Sequence, residues 1–166
     1  MTEKLYWDAP YETSFTAEVL ELTPEGIILD KTLFYPEGGN QTSDKGFIIK
    51  GTNKFTVEFV SKKGDLIVHQ LSEPFQEMLK KGDLIEGEID WEYRYGIMRA
   101  HSSQHVLSAV FKNLYDIDTI RANIAFEEVS IHINRSVSEI ELINILMQFF
   151  NICTIKNLQF RSKIVP

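Results

Sequence analysis

The sequence predicts an α+β protein: a small β-barrel over residues 1–91, then an α+β domain over residues 92–166. Three observations carry this. Between Thr13 and Trp91, short alternating apolar runs are broken by turn chemistry, the pattern of a small barrel or sandwich. After Trp91 the apolar spacing changes to that of a helix. The 166 residues are 43% apolar, enough to bury a sizeable core.

The strands follow in order. Phe15, Ala17 and Val19 alternate with Thr16 and Glu18, and "TPEG" then turns the chain into Ile27, Ile28 and Leu29. "GFIIKGTNKFTVEFV" reads as a hairpin with a Gly-Thr-Asn turn, its second strand alternating through Phe55, Val57 and Phe59. "KKGD" at 62–65 leads into Leu66, Ile67 and Val68, and a second "KKGD" at 80–83 precedes "LIEGEIDW". The helical stretch after Trp91 contains "RAHSSQHVL". "NIAFEEVSIHIN" alternates as one or two strands, with Ile131 and Ile133 on one face and His132 on the other. "SVSEIELINILMQFFN" is a second helix: Ser138 and Glu141 make a capping box and Asn151 is the stop. Its apolar residues run almost all the way round, which predicts packing on more than one side. "LQFRSKIV" is a last strand.

No apolar run approaches the ~20 residues of a membrane span. The first ten residues, MTEKLYWDAP, have neither the basic nor the apolar region of a leader. The expectation is a soluble cytoplasmic protein with no membrane partner. Cys153, the single cysteine, cannot form an internal disulfide. The formal charge of −7 is the wrong sign for coating a polyanion, and no DNA partner is expected. Lys62, Lys63, Lys80 and Lys81 fall in expected turns. Arg94, Arg99, Lys112 and Arg121 gather around the histidine helix as a candidate basic strip, although scattered cations are ordinarily solvated surface.

His101 and His105 stand four positions apart, a little over one turn, so both imidazoles project from one helix face and can reach a common metal ion. At about 100° per residue, with His101 at zero, His105 lies near 40° and Ser108 near −20°, while Leu107, Val110 and Leu114 lie on the opposite, apolar side. The plain alternative is a polar face exposed to water. Zinc takes four ligands, or three and a water, and this pair supplies two. Cys153, His132 and His69 are the other soft ligands. Cys153 reads as a buried small hydrophobe, His132 faces away from the apolar side of its strand, and His69 reads as structural. Ser102 and Ser103 make no serine-hydrolase triad, because helix neighbours point about 100° apart.

"FYPEGGNQTSDKG", residues 34–46, is the second informative stretch. Pro36 fixes a dihedral, Gly38 and Gly39 permit positive φ and close approach of a ligand, and Asn40 to Asp44 supply hydrogen-bonding groups. The plain reading is a tight polar loop. The Gly-Lys-Ser/Thr ending of a Walker loop is absent.

Three stretches, "TLFYPEGGNQTSDKG", "GDLIEGEIDWEYRYGIMR" and "HSSQHVLSAVF", together resemble the editing domains of alanyl-tRNA synthetase and the AlaX-type trans-editing proteins, a domain type shared with threonyl-tRNA synthetase. The resemblance covers residues 5–115 closely and 116–166 more loosely. It implies a barrel to about Trp91, then an α+β aminoacyl-tRNA editing domain, incomplete here, that holds zinc. The activity implied is hydrolysis of serine or glycine wrongly esterified to alanine tRNA, with the acceptor end of that tRNA as partner. His101 and His105 match two zinc ligands. Gly38, Gly39, Gln41, Gln104, Arg121 and Asn123 are the expected substrate-binding residues. The family's other two ligands form a Cys-x-x-x-His motif that would lie past Pro166. In "TIRANIAF", where the family discriminates amino acids, Ala122 holds the best register and Thr119 is nearby, so serine against glycine stays open. A fragment of a longer protein is the expected explanation for the missing ligands, since a terminal apolar strand leaves an uncovered edge. The alternatives are a metal-free tRNA- or partner-binding module and a hydrolase of another ester or amide. Oligomeric state is not legible.

Overall fold

The computed structural model describes residues 1–72, 74–126 and 128–155; the expected strand over 158–165 lies outside them. The chain divides into two compact units, Met1–Gly96 and Ile97–Pro166.

The first unit holds β1 (Glu3–Lys4), a 3-10 turn (Leu5–Trp7), β2 (Ser14–Leu22), β3 (Gly26–Leu29), β4 (Lys31–Thr32), β5 (Gly46–Lys50), β6 (Asn53–Lys63), β7 (Leu66–Leu71) and β8 (Leu84–Ile89). Six of these strands close into an antiparallel barrel in the order β2-β3-β7-β6-β5-β8, as expected from the sequence. Closure is the pairing of β2 with β8, in which Ser14 stands opposite Glu88 and Glu18 opposite Leu84. The alternation predicted for β2 holds: Phe15, Ala17 and Val19 face inward while Ser14, Thr16 and Glu18 are exposed. Val19, Ile27, Leu29, Ile48, Val57 and Ile67 are fully buried, each contributing about 1.5–3 kcal/mol relative to an exposed position. Leu33, Phe34, Phe75 and Leu79 join that core from the connecting segments. Gly46 is required by close approach, because a Cβ there would stand 2.1 Å from the Glu88 backbone carbonyl oxygen.

Several local expectations need correction. β1 and β4 form a two-residue parallel ladder, too short for alternation to reveal. Lys62 and Lys63 end strand β6 instead of lying in a turn. His69 is structural as expected: it is fully buried, with Nε2 2.8 Å from Thr32 Oγ1 and Nδ1 3.2 Å from the Ile27 carbonyl.

Helix α1 (Trp91–Tyr115) begins in the first unit and continues in the second, which adds β9 (Thr119–Ile124), β10 (Val129–Ile133), α2 (Glu139–Phe150) and a π-helical turn (Asn151–Ile155). Strands β9 and β10 pair as an antiparallel hairpin with a register shift beside Ile133. The core of this unit is small: Val106, Val110, Phe111, Ile117 and Ile145. Val106 and Phe111, not Leu114, flank Val110 on the buried face; Leu114 is 43% exposed and lines an open hollow of about 450 Å³ with Tyr115, Asn144 and Met147.

The capping box of α2 is present, with Ser138 Oγ accepting from Glu141 N and the Glu141 carboxylate accepting from Ser138 N. Asn151 is not a clean stop, since it stays right-handed and the chain winds on into the π-turn. The expectation that α2 packs on several sides is also corrected. Ile145 is its buried residue, while Ile140, Ile143, Met147 and Phe150 are exposed. Among the described residues one hairpin and part of α1 are available to cover it, and they cover one face. No helix of the described residues is long and apolar enough to cross a membrane.

Candidate functional site

The glycine-rich loop is a tight hairpin tip in the first unit. Gly38 N donates to Gln41 O and Gln41 N to Gly38 O, both at 3.1 Å. Positive φ falls at Gly39 (+62°) and Asn40 (+63°), not at Gly38, which is the type I′ geometry that glycine and asparagine tolerate. The loop's polar residues are then divided. Asn40 is exposed, but Ser43 and Asp44 are buried. Ser43 Oγ accepts from Val60 N at 3.0 Å, and Asp44 Oδ2 accepts from Tyr35 N at 2.6 Å.

Asp44 is also where the sequence expectation for Arg94 fails. Arg94 is 4% exposed and is no part of a surface strip. Its Nε and Nη2 donate to Asp44 Oδ2 at 3.2 and 2.5 Å, Nη2 also donates to Leu33 O, and Nη1 donates to Pro10 O and Glu12 O. A planar guanidinium with five donors can satisfy that many carbonyls at once, and lysine cannot. Asp90 starts the same helix, its Oδ1 accepting from Tyr93 N at 3.0 Å. The Asp-Trp-x-x-Arg run is thus a helix cap followed by a buried latch on the glycine-rich loop. Lys112, another member of the expected strip, pairs with Asp116 and Asp118.

The second unit holds the histidine pair. The rings of His101 and His105 are stacked, with centroids 4.9 Å apart and planes 21° apart. His101 is half-buried and His105 exposed. Burial, and then the neighbouring His105, hold the His101 imidazole below its ordinary pKa, which favours the neutral form a metal binds. No cluster of three or more His, Cys, Asp or Glu suited to a metal ion occurs among the described residues. His132 is exposed on β10, and Cys153 is exposed instead of buried as the sequence led one to expect, because the π-turn carries it past the small core. The donor chemistry fits half a zinc site: two adjacent imidazoles on one helix face, with the remaining ligands not among the described residues.

Gln104 and Ser108 extend the histidine face, since residues 101, 104, 105 and 108 follow the i, i+3, i+4, i+7 spacing of one helix stripe. Gln104 is 8% exposed. Its Nε2 donates to Ser108 Oγ at 2.7 Å, and Thr119 Oγ1 donates to the same oxygen at 2.8 Å. A cleft of about 390 Å³ opens beside this stripe, lined by Ala100, Ser103, Gln104, Leu107 and Phe111 of α1, Val129 and Ile131 of β10, and Phe149 of α2. That volume lies in the range of small-ligand pockets. On β9, Arg121 Nε donates to Asn123 Oδ1, and Asn123 Nδ2 to Ser130 Oγ, both at 3.2 Å.

The site residues expected from sequence therefore fall into three groups: Gly38, Gly39 and Gln41 in the hairpin tip; His101, Gln104 and His105 on one stripe of α1; Arg121 and Asn123 on β9. Sequence reasoning missed Asp44 and Arg94, whose pairing spans the barrel unit, and the bonding of Ser108 and Thr119. Ser108's place on the polar stripe was legible, but its partner on β9 was not.

Comparison with known proteins shows the family. The model of the class II (A) tRNA synthetases matches residues 4–93. The alanyl-tRNA editing protein AlaX-L of Pyrococcus horikoshii is 38% identical over 143 residues, which is 83% of this chain and 35% of that protein. An alanine–tRNA ligase of Saccharolobus islandicus is 45% identical over 115 residues, covering 68% of this chain and 13% of the ligase. The ligase of Ignicoccus hospitalis is 40% identical over 113 residues, 68% of this chain and 12% of its own length. The chain spans about a third of the AlaX-L protein and a smaller share of the ligases. With its barrel, its capped and latched α1 and these relatives, the chain belongs to the class II (A) tRNA synthetase family, beside the alanyl-tRNA editing proteins and alanine–tRNA ligases.

Proposed function

We propose that this chain is the barrel and histidine-bearing portion of a zinc-dependent deacylase that hydrolyses the ester joining serine or glycine to alanine tRNA. The observation that carries the reading is the stacked His101–His105 pair on the same stripe as Gln104, beside a cleft of about 390 Å³. Its relatives, an alanyl-tRNA editing protein and alanine–tRNA ligases, support the substrate class.

His101 and His105 would hold the zinc. Bound there, the ion can polarise an ester carbonyl or lower the pKa of a water toward ~7. The chain's own contribution is positional. Desolvation of His101 keeps an imidazole neutral for ligation, the cleft's apolar wall of Leu107, Phe111, Ile131 and Phe149 excludes water from a bound aminoacyl group, and Gln104 presents a hydrogen-bonding group at its rim. Arg121 and Asn123, on β9 of the same unit, would contact the tRNA acceptor end; the hairpin tip of Gly38, Gly39 and Gln41 is a separate candidate contact, in the other unit.

Two measurements test this together: zinc per chain, and hydrolysis of Ser-tRNA(Ala) and Gly-tRNA(Ala), in the 166-residue chain and in any longer natural form of it. The expected outcome is zinc bound through His101 and His105, with His101→Ala losing both the metal and at least about 100-fold in rate, the scale on which perturbed metal sites fail. Absence of zinc and of deacylation in every form would overturn the proposal. The second reading, a metal-free tRNA-binding module, is favoured by the histidine pair having no third candidate ligand clustered with it among the described residues; it predicts tRNA binding that chelators leave unchanged.

A further inference from the structure

The β9–β10 hairpin has two faces of opposite character. Residues directly opposite in an antiparallel pair project to the same side, and the register sets Ala122 against Ile131, Ile124 against Val129, Arg121 against His132 and Asn123 against Ser130. Val129 and Ile131 line the cleft beside the histidine stripe, and Ile124 is buried, so the first two pairs make an inner, apolar face. By strand alternation the other two pairs make the outer face. The register shift beside Ile133 resets that alternation, which is why Ile120 and Arg121, neighbours in sequence, are both exposed.

On the outer face Arg121 is held from one side. Its Nε donates to Asn123 Oδ1 at 3.2 Å. A guanidinium accepts nothing, so this bond turns the Asn123 carbonyl oxygen toward the arginine and its amide nitrogen toward Ser130 Oγ, also at 3.2 Å. The Nη pair of Arg121, the planar fork that suits a phosphate, has no carboxylate partner among the described residues. Other cations of this unit do: Lys112 pairs with Asp116 and Asp118, and Arg135 with Glu141. Along β10 the nearest described carboxylate is Glu128 at the hairpin turn, four residues and roughly 13 Å from His132. A chain of formal charge −7 repels a polyanion over most of its surface, so contact with one requires a face where cations stand clear of carboxylates.

We propose that the outer face of this hairpin, Arg121 and His132 with Asn123 steadying the arginine, binds the phosphodiester backbone of RNA and makes no contact with the aminoacyl group. This rests on tRNA being the partner and deepens that reading: the cleft takes the amino acid on one side of the hairpin, and the backbone is gripped on the other. Arg121 and His132 stand about 5 Å apart across the two strands, so both can reach one phosphate. The arginine fork supplies charge and paired donors, and the imidazole adds an N–H.

The experiment is binding of the chain to a tRNA(Ala) transcript between about 50 and 200 mM potassium chloride. Arg121→Gln should weaken binding about three- to tenfold and reduce the slope of log affinity against log salt by about 0.7–0.9, the share of one phosphate contact. Asn123→Asp, which gives the guanidinium a carboxylate, should reduce the slope in the same way. His132→Arg, an exposed substitution that adds a cation, should strengthen binding and steepen the slope. Lys112→Gln removes the same charge from the same unit, but one already paired with Asp116 and Asp118, and should leave the slope unchanged. Adenosine carrying 3′-amide-linked serine, which reports on the cleft, should bind wild type and Arg121→Gln equally. An unchanged slope in folded Arg121→Gln and His132→Arg overturns the proposal, as does loss of the seryl analogue in Arg121→Gln, and both leave the deacylase reading standing. Displacement of the RNA by inorganic phosphate, beyond that by chloride at equal ionic strength, overturns RNA as the occupant in favour of a free anion. Wild type that binds the seryl analogue but no tRNA overturns this proposal alone; wild type that binds neither overturns both.

Discussion

The barrel and the second unit are built from sequence patterns of equal clarity, yet they bury their apolar residues very differently. In β2 the inward positions Phe15, Ala17 and Val19 are 9% exposed or less. In α2, whose apolar residues are just as dense, Ile140 is 74% and Met147 68% exposed. The difference lies in closure. A barrel gives every strand two neighbours and every inward side chain a facing wall, whereas a hairpin and part of a helix give α2 one wall. A periodic pattern specifies which face an element would bury; the burial itself depends on what is there to cover it.

The largest expected effect breaks the barrel side of that comparison. Arg94→Ala or Asp44→Ala leaves a buried partner unpaired and should cost about 3–5 kcal/mol in urea unfolding. Ile48→Ala, removing side-chain volume from the fully buried core, belongs in the same range at about 2–5 kcal/mol. Next comes acid. Burial holds His69 down from 6.5 to about 4, so between those values the unfolded chain takes up a proton that the folded barrel refuses. Stability is therefore full above pH 6.5 and falls by about 3 kcal/mol as the pH drops to 4. The urea midpoint followed from pH 7 to 4 should show that slope, and His69→Gln should flatten it.

On the other side, Ser138→Ala removes the cap of α2 and should cost about 1 kcal/mol, read as a fall in the thermal midpoint. Met147→Gln, on the exposed face, should change stability by no more than about 0.5 kcal/mol. A cost above 1 kcal/mol there would show that α2 is covered in solution, and would erase the contrast between the two units.

Much of this architecture was legible. The turn chemistry at Thr23–Gly26 and at the two KKGD copies, the hairpin of Gly46–Lys63 and the capping box at Ser138 are local signals, and local signals survive in one dimension. Arg94 was misjudged because its partners, Asp44, Leu33, Pro10 and Glu12, are spread along the chain, and an arginine among other cations reads as surface until its carboxylate is found. Positive φ falls at Gly39 and Asn40, not at Gly38 and Gly39, because the two hydrogen bonds between residues 38 and 41 fix which pair occupies the turn. The histidine stripe was visible from spacing. The bond between Ser108 and Thr119 was not, since it joins the stripe to a hydroxyl on a separate strand, β9.

The pairing of Ser14 with Glu88 that closes the barrel also has a bearing on time. The first barrel strand cannot receive its second neighbour until the last has been made, so during synthesis the early strands wait with an edge unpaired until Ile89 has left the ribosome. Contacts so distant in sequence fold slowly, since loop closure comes before any gain from pairing. Arg94 emerges only a few residues later, and its bonds to Pro10, Glu12 and Asp44 then tie down the amino-terminal segment that waited longest. The latch is thus among the last parts of this unit to be made, and the barrel cannot finish folding until nearly all of its code has been read.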